Sequence, residues 1–397
     1  MFLIVEKLEV QLVINLIIPS FYPAFVYGGP IFSTYHVCKE LAKFSDVDIK
    51  VSTTNTNMTS RLDVKKNRWI ELNGFYVKYY NETIIDKFSF PLFFNIWKDI
   101  KSSDVIHIQS IFNTPTPISL IYSIIFRKKV LLSPRGSLGE WCLNNGNRLK
   151  LLWLKYAIRP FLRNVVWHST AQQEKNEILS IFPSSKVEVI PNGIEYDNFQ
   201  IVNVYSRAEY TKHFLDLDLD AEKIIISMGR IEKKKGFDIL IESFVDVLKA
   251  FPSAKLIIAG PDEGELSNLL LLVDNLKLTQ SVFFIGSISG QRKIDFLANA
   301  DVFALPSHNE NFGNVYVESL AAGTPIVSST NTPWSDVEVE DCGKWVPNQV
   351  FDTSSAIVEM LRKDRELLRV NSKRYAKKYD WCNVALQFKC LFDKLVK

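Results

Sequence analysis

Residues 300–329 read ADVFALPSHNENFGNVYVESLAAGTPIVSS. The run Asp301 to Pro306 is apolar and short, which predicts a buried strand rather than a helix. A polar loop follows from Ser307 to Gly313. Asn314 to Ala322 then predicts a helix, stopped by Gly323 with Pro325 just beyond it, and Ile326 to Ser328 resumes as strand. The unit is β-loop-α-β and carries two carboxylates eight positions apart. Glu310 falls just past the carboxyl end of the strand and Glu318 about one turn into the helix. In open α/β sheets ligands collect at that end of the strands. Gly313 and the amides after it open a helix N-terminus, a natural anion site.

Outward from this unit, strand-like and helix-like segments alternate almost throughout, the pattern of parallel sheets flanked by helices. Before it, strands are predicted at Leu12–Ile18, Asp48–Thr53, Gly74–Tyr80, Asp104–Gln109, Lys129–Ser133, Asn164–His168 and Lys186–Ile190. Helices are predicted at Ile31–Phe44, Arg148–Arg163 and Ala171–Phe182. The segment Pro191–Ala221 is polar, aromatic and acidic without clear periodicity, and the domain boundary is placed there. A second series begins with strand Lys223–Met228 and continues through helix Gly236–Phe251, strand Lys255–Ala259, helix Glu265–Leu276, strand Val282–Ile285 and helix Gly290–Asn299. Beyond the opening unit, helices are expected at Asp352–Met360 and Arg365–Tyr379, leading into Trp381–Leu395.

At 397 residues the chain is too long for one compact core and suggests two domains. Hydrophobic content of 47% and charged content of 23% are ordinary for a soluble globular protein. Apolar stretches are interrupted well before the roughly 18 residues of a membrane span. Met1–Pro19 is broken by Glu6, Lys7 and Glu9 and reads as an extension into the first strand, not as a signal peptide. Five cysteines, odd in number and without C-x-x-C spacing, argue for a reducing compartment and against a zinc site or a disulfide framework. Residues 1–200 hold 23 Lys and Arg against 17 Asp and Glu, whereas residues 201–397 hold 24 against 27. The basic first half suits an anionic lipid surface or a pyrophosphate-bearing acceptor, or is an ordinary solvated surface. No basic stripe interleaved with aromatics suggests nucleic acid.

Glu310 and Glu318, with Phe312-Gly313 between them and Ala321-Ala322-Gly323-Thr324-Pro325 after them, resemble the E-x7-E motif of the family 4 retaining glycosyltransferases. The resemblance implies an α/β fold of GT-B architecture, two Rossmann-like domains facing each other across a cleft. It implies an N-terminal acceptor-side domain at 1–200, a C-terminal nucleotide-sugar domain at 201–375, and a final segment, 376–397, crossing back onto the first domain. Pro191-Asn192-Gly193-Ile194 matches the P-N-G motif that closes the first domain in the family, although an Asn-Gly turn is a sufficient role for it.

Transfer from a nucleotide-sugar requires stabilising the charge on a leaving diphosphate, by fixed cations and helix N-termini or by a metal. Arg230 and Lys235 stand just after the first strand of the second domain, in GRIEKKKG. Arg grips phosphate with two parallel N–H bonds and Lys acts as a point charge. The resemblance assigns both to the diphosphate, whereas Lys233-Lys234-Lys235 alone would read as an exposed loop run. It assigns Glu310 to the donor sugar's hydroxyls and Glu318 to the ribose, tasks that suit an ionised oxygen pair. The backbone of Asn311, Phe312, Gly313 and Asn314 is the candidate for sugar and phosphate contacts. Gly28-Gly29-Pro30 resembles the family's glycine-rich loop facing the diphosphate, and Gly286-Ser287 lies where relatives hold the nucleobase. Many relatives place a His in a first-domain loop at the donor sugar. Here Pro134-Arg135-Gly136 stands in its place, as in a polysaccharide-building subgroup, so Arg135 takes that position and a catalytic His is unsupported.

Asp216-Leu-Asp218 and Asp218-Leu-Asp220 look like a D-x-D metal motif but fall in the linker and read as a solvated acidic run. The basic helix 148–163, with Leu149, Leu152, Trp153, Tyr156 and Phe161, fits a core-facing helix and, second to that, a membrane contact. The implied function is metal-independent, retaining transfer of a hexose-type sugar from a UDP- or GDP-sugar to a glycan acceptor that is lipid-linked. The implied setting is synthesis of O-antigen, capsule or exopolysaccharide at the cytoplasmic face of the inner membrane. A front-face mechanism is implied, and covalent catalysis has no evident nucleophile. A non-hydrolysing nucleotide-sugar epimerase of the same architecture and a non-catalytic transferase partner remain as alternatives.

Overall fold

The computed structural model describes residues 11–83, 88–139, 142–143, 149–219 and 221–397. The expected extension over residues 1–10, the start of the basic helix at Arg148 and the last carboxylate of the acidic run, Asp220, lie outside them. The described chain forms two compact units, one from residues 11–193 and 381–397, the other from 194–380. The break falls at Gly193/Ile194 rather than near residue 200, and the return at Trp381 rather than 376. The physical reason is packing: Tyr375 meets Trp334 of the second unit edge-on and Tyr379 meets it at a tilt. Trp381 lies parallel to His36 and fills the space beside Gly193 of the first.

The first unit is built on an eight-stranded sheet in the order β8-β7-β6-β5-β1-β2-β4-β3. Its strands are β1 Leu12–Ser20, β2 Val47–Thr54, β3 Trp69–Leu72, β4 Phe75–Tyr80, β5 Val105–Gln109, β6 Lys129–Ser133, β7 Val165–Ser169 and β8 Lys186–Val189. All pairs are parallel except β3 with β4. Successive residues of a strand face opposite sides, so Ile14, Leu16 and Ile18 of β1 join one core and Ile17 the other. The first core is covered by α1 (Gly29–Leu41) and by the last helix, Trp381–Val396. The second is covered by α2 (Phe90–Lys101), α3 (Pro115–Ile125), the helical segment 149–161 and α4 (Gln172–Ile181).

The segment 149–161 departs from the expected regular, core-facing helix. An α-turn at Leu149–Trp153 widens to a π-turn at Leu154–Ile158 and tightens at Arg159–Phe161, where Pro160 has no amide to continue the ladder. Leu154 and Ile158 point inward, whereas Leu149, Leu152 and Tyr156 are each more than half exposed.

The second unit carries a six-stranded parallel sheet in the order β11-β10-β9-β12-β13-β14. The strands are β9 Ile224–Met228, β10 Lys255–Ala259, β11 Val282–Phe284, β12 Val302–Leu305, β13 Ile326–Ser329 and β14 Gly343–Val346. Helices α5 Arg207–Leu215, α6 Phe237–Ala250, α7 Leu266–Asn275, α8 Gly290–Ala298, α9 Asn314–Ala322, α10 Val350–Arg362 and α11 Arg365–Ala376 pack around it, and the last helix of the chain is α12 (Trp381–Val396). Helix α5 lies inside the stretch expected to lack periodicity. Ser206 accepts from the Glu209 amide while the Glu209 carboxylate accepts from the Ser206 amide, a reciprocal cap that fixes its start. Asp216 ends it, exposed and paired with Lys212, in keeping with a solvated acidic run. The strand order reverses between β9 and β12, which pair through Ile225–Val302 and Ile226–Phe303.

Candidate functional site

Where a parallel sheet reverses its strand order, the two loops leaving the adjacent strands diverge to opposite faces and leave a crevice between them. In the second unit those loops follow β9 and β12. The first holds Arg230 and Lys235, the second Glu310. They are drawn together by backbone: the His308 amide donates to the Lys234 carbonyl at 2.9 Å. Gly236, at φ +68°, lies so close to the Pro306 carbonyl that a Cβ would come within 2.3 Å of its oxygen. Only glycine serves there.

This approach brings the Lys235 Nζ onto Glu310 Oε1 as a hydrogen-bonded ion pair, both side chains largely buried. The stem of Lys235 runs beside Gly229, so the ammonium is presented next to the backbone that carries Arg230. Arg230 itself is 58% exposed and approaches Glu232 at 2.9 Å without hydrogen-bond geometry. A guanidinium held so loosely is free to turn to an incoming anion.

Gly313, at φ +74°, caps α9, and a Cβ there would overlap the Tyr316 ring at 2.6 Å. Tyr316 is buried, donates to the Leu305 carbonyl at 2.8 Å, and is held well above the ordinary phenol range by burial and by Glu310. The amides at the start of α9 therefore stand at a fixed helix N-terminus. Phe312 is held by its side chain, which leaves the expected backbone contact to its amide. Its ring is buried against Trp334 and Tyr379, and its carbonyl accepts from Trp334 Nε1 at 2.7 Å, so it anchors the loop and has only its amide to offer. Asn311 and Asn314 flank it, partly exposed.

Glu318, on the second turn of α9, does not join the Lys235–Glu310 cluster. It accepts from Lys293 Nζ of α8 at 2.8 Å, both side chains partly buried. Lys293 was not singled out in the sequence. No motif marks it, and only the packing of α8 against α9 gives it a partner. Gly286 and Ser287, after β11, are exposed, and the Gly286 carbonyl accepts from the Gly260 amide at 2.8 Å.

In the first unit, Gly28 caps α1 and Gly29 is its first residue, after the loop that leaves β1. Arg135 follows β6 with φ +57°. Its Nε donates to Gln109 Oε1 at 2.6 Å and its Nη1 to Asn192 Oδ1 at 3.0 Å. Burial lowers the guanidinium to about 10, opposed by Glu174, so it remains a cation at neutral pH. Behind it, Ser133 Oγ bridges His107 Nε2 (2.8 Å) and His168 Nδ1 (2.7 Å), and His168 Nε2 donates to the Ile190 carbonyl at 2.8 Å. Both imidazoles are buried, His168 against Phe388 of α12.

Residues 211–379 match the family Glycosyl transferases group 1. The chain is 34% identical over 219 residues to an uncharacterised glycosyltransferase of Methanocaldococcus jannaschii, covering 53% of this chain and 55% of that one. It is 32% identical over 214 residues to the capsular polysaccharide biosynthesis glycosyltransferase CapM of Staphylococcus aureus, covering 53% and 52%. The chain thus spans about half the length of the curated relatives it matches. Among solved structures it resembles HepE of Anabaena in complex with UDP-glucose, with a TM-score of 0.70 at 17% identity, over 97% of this chain and 100% of that one. The fold is GT-B, with one Rossmann-like domain in each unit.

Proposed function

We propose that the protein is a retaining glycosyltransferase of family 4 that moves a hexose-type sugar from a UDP- or GDP-sugar to a glycan acceptor. The observation that carries this reading is the pairing of Lys235 with Glu310 at the β9–β12 reversal, beside Arg230 and the N-terminus of α9. Cations and a helix N-terminus at one point suit a diphosphate. Lys235 and Arg230 hold it and take up the charge that develops as the anomeric C–O bond breaks. Glu310 accepts from the donor sugar's hydroxyls and Glu318 from the ribose. Gly286-Ser287 abuts the base. The acceptor oxygen forms the new bond on the same face as the departing phosphate, whose oxygen takes the acceptor's proton, so that configuration is retained. Fixed cations take the place of a metal.

The likeness to CapM supports a role in capsular or other cell-surface polysaccharide synthesis, and the likeness to the UDP-glucose complex of HepE supports a UDP-sugar. A lipid-linked acceptor at the cytoplasmic membrane face completes the proposal. A calorimetric panel of nucleotide-sugars tests the reading: binding of one UDP- or GDP-sugar, and its turnover only with an acceptor, is expected. Interconversion of the sugar without acceptor would make it an epimerase, and binding with no turnover on any acceptor a non-catalytic partner.

A further inference from the structure

Strand β8 ends the first sheet, and no described strand pairs beyond it. It meets β7 through the backbone of Glu188 and Ile190. The Ile190 amide donates to the Ser169 carbonyl at 2.9 Å, and Glu188 stands in register with His168. Backbone groups alternate in direction along a strand. Val187 and Val189 therefore turn theirs outward, where no described residue bonds to them. Such an edge is a template for a further strand.

The side chains say which strand fits. Lys186 and Glu188 project from one face of β8, 3.9 Å apart and 65% and 35% exposed. The other sheet edges lack such a pair. β11 carries no charge, β3 only Glu71, and β14 only Lys344, already bound to Glu359 at 2.8 Å. When β8 pairs antiparallel with a copy of itself about Val187, the outward groups of the two valines bond reciprocally. Lys186 then faces the partner's Glu188, and Glu188 the partner's Lys186, at the closely spaced positions of the ladder. Charge also fixes the register. Sliding one way sets Glu188 against the partner's Glu188, and sliding the other way sets Lys186 against the partner's Lys186. Longer slides bring Val187 opposite Pro191 or Pro183, which have no amide to give. Beside the strand, a groove of about 330 Å³ lies between β8 and α12, walled by Val189, Leu386, Leu391 and Lys394. Leu386 is 52% exposed and Val189 37%, apolar surface that a copy would cover.

We infer that β8 is a self-association edge, through which two copies of this chain join their first sheets by antiparallel pairing about Val187. Charge on an edge ordinarily deters pairing, but here the two signs are spaced so that a copy satisfies both. The association does not depend on sugar transfer.

The test is sedimentation velocity of the full chain over about 1–100 µM. A monomer–dimer equilibrium that weakens with salt is expected. Lys186→Glu and Glu188→Lys each set like charges opposite one another and should weaken the dimer at least about tenfold, with the circular dichroism of the parent retained. Mixed in equal amounts, the two variants should recover the dimer, because an acidic strand then meets a basic one. That recovery separates lost pairing from misfolding. A chain that stays monomeric across the range overturns the inference and leaves the edge to a strand of another protein. A dimer that survives both reversals overturns it too, as does a mixture that associates no better than its parts.

Discussion

Lys235 and Glu310 are 75 residues apart in sequence and form an ion pair, largely buried, at the reversal point of the second sheet. In the free protein each neutralises the other. On the proposed function each also has a separate task, the ammonium toward diphosphate and the carboxylate toward sugar hydroxyls. The pair therefore keeps two ligand-seeking groups in place until the donor arrives.

Breaking the pair from one side leaves an uncompensated buried charge. Lys235→Ala should destabilise the protein by about 3–5 kcal/mol, and Lys235→Met with Glu310→Gln should recover most of that loss. Denaturant titration of the three proteins measures it. Both variants should lose at least about tenfold in kcat/KM, about 1.4 kcal/mol in barrier.

Arg230 presents the contrasting case, because its side chain is 58% exposed and holds little in place. Arg230→Ala should leave the thermal midpoint unchanged while turnover falls at least about tenfold. Steady-state kinetics with the identified donor measures this, and unchanged rates would remove Arg230 from the reaction. Chelation with EDTA should leave the wild-type rate unaltered, since the charge is met by side chains.

Glu318→Ala should weaken nucleotide binding about tenfold or more, read by calorimetry with the free nucleoside diphosphate, because two hydroxyls lose their common acceptor. Lys293→Met should act in the same direction to a smaller degree, since it orients the carboxylate without touching the nucleotide.

Gly236→Ala would place a Cβ 2.3 Å from the Pro306 carbonyl oxygen at φ +68°. The left-handed conformation alone costs about 1–2 kcal/mol, and relief of the overlap must part the β9 and β12 loops. Stability and donor affinity should fall together, as measured by denaturant titration and calorimetry on one preparation.

Acid should loosen the first unit by a defined route. Burial lowers His107 well below its ordinary range and His168 to about 3. The unfolded chain takes up protons below about pH 6.5, and the folded chain does not until far lower. Stability is therefore full above pH 6.5 and declines as pH falls from there toward 3, by up to about 1.4 kcal/mol per pH unit for each histidine. His168→Gln should shallow the slope of unfolding free energy against pH over that window.

Much of the site was legible because its residues follow strand ends directly. Asn314–Ala322, Lys129–Ser133 and Lys255–Ala259 form their elements over the very residues expected, since each is bounded by a glycine, a proline or a change of period. The cluster of Arg230, Lys235 and Glu310 followed from placing each after its strand. What escaped had a weaker or a contrary signal. Helix α5 has little amphipathic contrast, and only Ser206 and Glu209 announce it. Helix α3 was not assigned because its apolar residues lie on both faces, Leu120 in the core and Ile124 and Ile125 exposed, so no clear helical period marks it. Lys293 gains a partner only when α8 meets α9, a relation no spacing within one segment encodes. The anchoring of the Phe312 ring by Trp334 and Tyr379 was not legible, because those partners lie 22 and 67 residues further on.

The helix α12 places Val384, Phe388, Leu391 and Phe392 in the core of the first unit, against residues from its opening strand. That core is thus assembled from both ends of the described chain. During synthesis the first unit must wait, with β1 and α1 uncovered on that side, until the whole of the second has emerged from the ribosome. A stop codon before Trp381 would spare the unit next to it and undo the one made first.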